Sequence, residues 1–153
     1  MKKIKFLTLM FVGFTFMALT SCSKDEVGNQ DARDQYVGNW NSVSTGSLTL
    51  YQNGQSVGTA PINKSAAVTI TKSGSNALII NGTTYIVNGN NLSANPTPAN
   101  ENSDGVNIVG TALSSGTLSS NIISSNDAIT GTWNTTAGAS GNLSGNVITT
   151  LTK

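Results

Sequence analysis

The sequence predicts an all-β domain of antiparallel strands, arranged as a barrel or a sandwich. Two observations carry that expectation. Short apolar-polar alternating segments are separated by Asn-Gly and other turn residues at close, regular spacing. The chain also has only 10% charged residues and is rich in Ser, Thr, Asn and Gly, yet β-branched and aromatic positions recur throughout it. A disordered chain lacks those regular positions, whereas Thr suits the exposed side of a pleated sheet. Beyond the N-terminal apolar run, no stretch has a convincing helical pattern.

Taken in order, residues 36–43 form the first expected strand. A second, 48–52, stops at Asn53-Gly54, a pair that favours positive φ at both central positions and so a tight type I′ hairpin. Residues 55–59 are its return strand. Over 66–71, Ala66, Val68 and Ile70 share one face in period two. Strand 77–80 leads into a second Asn-Gly turn, Asn81-Gly82, then 84–87, the turn Asn88-Gly89-Asn90, and a short strand at 92–94. Pro96 and Pro98 break any ladder, so 95–105 is expected to be a long loop. The β pattern resumes at 106–113, 117–124, 128–135 and 143–151, for a total of about nine or ten strands.

The N-terminus reads differently. Lys2, Lys3 and Lys5 precede and overlap an apolar run at 4–19, which ends in small residues before Cys22, the chain's single cysteine. That order is the layout of a cleaved secretory signal. The run is short of the ~20 residues that a membrane span needs. Leu19-Thr20-Ser21-Cys22 resembles the bacterial lipobox, which implies that Cys22 is acylated and becomes the first mature residue. Two or more acyl chains hold a protein firmly on a bilayer. The segment after it, Ser23-Lys24-Asp25-Glu26, resembles the lipoprotein export signal of Bacteroidetes and implies an outer-membrane, surface-exposed address. The expected organisation is a signal at 1–21, a polar tether at 22–35 and a β domain at 36–153.

Charge and chemistry exclude several functions. Without residues 1–21 the chain has five Lys or Arg against seven Asp or Glu, a net −2, although the whole chain is +1. With no basic cluster, nucleic-acid binding is not expected. The chain has no His, which removes the usual general base and metal ligand. No Ser lies in a Gly-x-Ser-x-Gly motif. Glu101 and Asp104 fall in the expected loop and Asp127 in an expected turn at Asn126-Asp127; glycosidase-like chemistry would need two of them to converge on a cleft. Asn100-x-Asn102-x-Asp104-Gly105 fits the first half of a calcium loop, but its twelfth position is Thr111 instead of Glu. The expectation is a non-enzymatic protein with no metal and no cofactor.

Tyr36-Val37-Gly38-Asn39-Trp40 resembles the Gly-x-Trp signature that opens the first strand of lipocalins and other calycins. The resemblance is specific over about five residues. It implies an up-and-down antiparallel barrel in which Trp40 seals the closed end and a ligand enters at the other. Lipocalins place an Arg from a late strand over that Trp; here Arg33, the one Arg beyond the signal, precedes the motif. Thr130-Gly131-Thr132-Trp133-Asn134-Thr135 echoes the segment around Trp40, as independent strands of similar composition or as neighbours at a barrel seam. The chain as a whole resembles small lipocalin-like lipoproteins of Bacteroidetes. The function expected is a membrane-anchored barrel binding a small hydrophobic molecule or a glycan, its interior lined by aliphatic residues with Tyr51, Tyr85 or Trp133. A filled barrel acting as a structural or inhibitor-like protein-interaction surface is the alternative. A small barrel has room for bulky side chains or one ligand, not both.

Overall fold

A computed structural model describes residues 31–103 and 105–153. The expected signal, Cys22 and most of the expected tether lie outside the described residues. The compact unit begins at Ala32, ahead of Tyr36. After a 3₁₀ turn at Asp34–Tyr36 come nine strands: β1 (Gly38–Gln52), β2 (Gln55–Ser73), β3 (Ala77–Ile80), β4 (Thr83–Asn88), β5 (Asn91–Ala94), β6 (Thr97–Ser103), β7 (Val106–Ser119), β8 (Ile122–Thr135) and β9 (Ser140–Thr152).

All nine form one antiparallel sheet in the order β5-β4-β3-β2-β1-β9-β8-β7-β6, and a further β5–β7 pairing closes it into a ring. The sandwich alternative is thereby excluded, because a sandwich needs two sheets. β5 and β6 pair with successive parts of the same β7 edge, Leu92 opposite Gly116 and Thr97 opposite Ala112. They act as one strand interrupted at Asn95-Pro96.

Both Asn-Gly turns form as expected. Asn53 and Gly54 have φ of 53° and 80°, and Asn81 and Gly82 have 48° and 79°, the two positive values that a type I′ turn requires. The expected loop at 95–105 is instead largely strand β6. Its Pro98 is tolerated because β6 pairs on one side only, with β7, and an edge strand can lack an N–H. The segments expected as separate strands at 36–43 and 48–52 are one strand, and 55–59 and 66–71 are another. The segment expected as one strand at 117–124 is the end of β7 and the start of β8, split by a two-residue turn at 120–121, where the Ser119 hydroxyl donates to the Ile122 carbonyl at 3.0 Å.

Glycines join these segments where backbones approach closely. Gly110 on β7 lies opposite Gly131 on β8. A Cβ on Gly131 would stand 2.3 Å from the Val109 carbonyl oxygen. Any side chain there would force the two strands apart.

Inward positions repeat every second residue along each strand, and their chemistry changes with height. At one end Trp40, Val68, Ile70, Leu118, Ile123 and Leu151 belong to an apolar cluster with Tyr36. At the other, Leu48, Ile108, Trp133 and Leu143 form a second. Between them the inward rows turn small and polar: Ser42 and Ser44 on β1, Ser114 on β7, Ser125 and Asp127 on β8, Thr149 on β9. Trp40 and Trp133 therefore belong to different clusters, on strands separated by β9. The echo between their segments does not mark neighbouring strands.

The first end is closed by the residues that precede β1. The Trp40 indole N–H donates to the Tyr36 carbonyl at 2.8 Å. Arg33 is buried and its guanidinium donates to the carbonyls of Ser73, Gly74 and Ala77 at 3.4, 3.2 and 2.8 Å, holding the β2–β3 turn. Lys72 on β2 forms an ion pair with Asp34.

Candidate functional site: an interior polar cavity

The small residues of the middle layer leave space. A cavity of about 220 Å³ lies inside the ring, walled by Val68, Ile80 and Leu92 on its apolar side and by Ser44, Ser114, Ser125, Asp127 and Thr149 on its polar side. A second cavity of about 360 Å³ adjoins it, sharing Ser44, Asn81, Ala112, Asp127 and Thr149, and reaches Ile62, Lys64, Ala99 and Glu101.

Its position follows from strand lengths. β3 pairs with only the last residues of β2, Ile70 to Ser73, so among the described residues the β2 edge away from β1 has no strand beside it from Gln55 to Thr69. β6 likewise pairs only with β7. The larger cavity opens between these two edges. Lys64 of β2, which is exposed, and Glu101 of β6, which is half-buried, form an ion pair across that mouth.

The polar wall is mostly satisfied internally. Ser44 and Thr149 hydroxyls are 2.7 Å apart and share a hydrogen bond. Tyr85 is buried, and burial pushes its phenol above the ordinary value of 10.0; hydrogen bonds from Ser114 and Ser125 offset part of that rise, and the negative charge of Asp127 adds to it. Asp127 is the exception. Its Oδ1 is buried and has no hydrogen-bond partner among the described residues. Burying an unpaired acceptor is costly.

Of the residues read from the sequence, Trp40 lies in the closed end and lines neither cavity. Tyr85 lines the smaller one. Tyr51 and Trp133 do not: Trp133 packs in the second cluster, and its indole N–H donates to the Tyr51 carbonyl at 3.2 Å. Asp127 is not in a turn but in the middle of β8, opposite Ser114 and Val147. Asn100 and Asn102 are extended in β6 rather than wound into a calcium loop, and Asp104 lies outside the described residues. Among the described residues no group of three acidic or sulfur ligands could hold a metal. Glu101 and Asp127 do line one cavity, but Lys64 occupies Glu101.

The serines, Thr149 and the placement of Asp127 were missed in the sequence. The signal was present in alternate residues, Trp40-x-Ser42-x-Ser44 and Ile123-x-Ser125-x-Asp127-x-Ile129, once each strand is read as unbroken. Comparison with protein families, with curated proteins and with solved structures finds no match to this chain.

Proposed function

We propose that this protein is a lipid-anchored, surface-exposed binding protein of lipocalin-like type, which holds a small molecule inside an eight-position barrel and performs no chemistry on it. The observation that carries the reading is the cavity between the two apolar clusters, with the unpartnered Asp127 Oδ1 in its wall. A filled barrel would give that atom a partner or replace it with an apolar side chain of the same shape. The apolar wall favours a ligand with a hydrocarbon part, and the opening between β2 and β6 gives it a route in. Trp40, buried with the Lys153 ammonium from just after the last strand above it, fits the closed end that the lipocalin resemblance implies. Anchorage through Cys22 and the outer-membrane address rest on the lipobox-like and export-like segments.

The test is native mass spectrometry of the chain from Asp25, which retains the whole compact unit, together with organic extraction of whatever co-purifies. A stoichiometric extra mass released by extraction is the expected result. A bare mass, with no thermal shift across a panel of lipids, amines and sugars, would overturn the reading in favour of a protein-interaction role.

A further inference from the structure

We infer that the interior site selects an organic cation: a small amine whose ammonium group meets Asp127 while its hydrocarbon body lies against Val68, Ile80 and Leu92. The inference rests on the interior-binding reading above and adds the charge of the ligand. Two acids, Asp127 and Glu101, and one cation, Lys64, line the two adjoining cavities. Lys64 is engaged with Glu101 at the mouth, so the lining gives the Asp127 carboxylate no counter-ion. Its Oδ1 has no donor either.

Asp127 is half-buried, and a carboxylate partly withdrawn from water is stabilised by a paired charge or added donors. An ammonium supplies both, with three N–H donors. One meets the Asp127 carboxylate, which lines both cavities. The hydroxyl oxygens of Ser44 and Thr149, which line the same space as Asp127, offer acceptors for others. An anionic ligand would face the Asp127 carboxylate at close range, where like charges repel. A neutral alcohol would fill the same volume and satisfy Oδ1 with one hydrogen bond, but it would leave the charge unbalanced.

Benzylamine, benzyl alcohol and benzoate have nearly the same shape and differ in charge. Their binding to the chain from Asp25 is measured by titration calorimetry, on the native protein and on Asp127→Asn. That variant keeps the side chain's shape and breaks no hydrogen bond at Oδ1, and its fold is checked by thermal melting. The expected result is that benzylamine binds about tenfold or more tightly than benzyl alcohol, that benzoate binds weakest, and that Asp127→Asn removes the preference. Equal binding of amine and alcohol, or a preference that survives in a folded Asp127→Asn protein, overturns the cation inference and leaves interior binding standing. Failure of all three probes to bind overturns both.

Discussion

The Lys153 ammonium stands over the Trp40 ring, 5.4 Å from its centroid. Its Nζ also donates to the carbonyls of Gln35 and Val37 at 2.9 and 3.3 Å. One side chain from beyond the last strand thus ties the entry segment, the first strand's indole and the end of β9 together. Arg33, the cation nearest this motif in sequence, is used elsewhere, on the β2–β3 turn.

Replacing Lys153 by Met keeps much of the aliphatic stem and removes the charge and both hydrogen bonds. The expected loss is about 1–2 kcal/mol, from a cation–π contact and two exposed hydrogen bonds. Trp40→Ala removes the indole from the apolar cluster, at about 3–5 kcal/mol. Urea melts of the two variants check this. Equal losses would mean that the ring's packing contributes no more than the cation above it.

Arg33→Ala leaves three carbonyls of the β2–β3 turn without their donor and is expected to cost about 1–3 kcal/mol. Amide exchange should rise across residues 73–77 and stay unchanged at the β1–β2 hairpin. A chain starting after Tyr36 should lose more than one starting at Ala32. Indistinguishable melts for those two truncations would show that the segment before β1 contributes nothing to the domain.

The raised Tyr85 pKa makes stability sensitive to alkali. The folded protein keeps the phenol proton to a higher pH than the unfolded chain does. The stability tied to the neutral phenol is therefore complete below 10.0 and is lost as pH climbs from there through the folded value. Tyr85→Phe should cost about 1 kcal/mol at neutral pH, since Ser114 and Ser125 lose a partner, and should flatten the alkaline fall. Melts from neutral pH to about pH 11 test this; an alkaline slope unchanged in the variant would refute it.

Gly131→Ala places a Cβ 2.3 Å from the Val109 oxygen and 2.5 Å from the Gly110 Cα. Both obstacles are backbone, so the β7–β8 ladder must move. An overpacked site of this kind costs about 1–3 kcal/mol or more. Glu101→Gln breaks an exposed ion pair and should change stability by less than about 1 kcal/mol. It should speed exchange of an interior probe such as benzylamine, measured by NMR line shape. Unchanged exchange would mean that Lys64 and Glu101 do not limit entry.

Metabolic labelling with radioactive palmitate tests the anchor. Cells producing the full chain should label it, and Cys22→Ser should abolish the label. A labelled Cys22→Ser protein would place the acyl group elsewhere.

The all-β class, the two type I′ turns and most strand positions were legible in the sequence, because they depend on local features: period-two alternation and the positive φ that Asn-Gly favours. The sequence also brought Trp40 forward through a five-residue motif. Strand continuity was hidden, because inward Gly and Ser in the middle of β1 and β8 look like loop residues until their cross-strand neighbours are known. Pro98 looked like a ladder breaker because nothing local says that β6 pairs on one side only. The cavity and the lone Asp127 oxygen were decided by tertiary structure alone. Ring closure through β5–β7 brings rows from β1, β4, β7, β8 and β9 to one height, and whether a buried acceptor finds a donor depends on contacts between residues far apart in the chain.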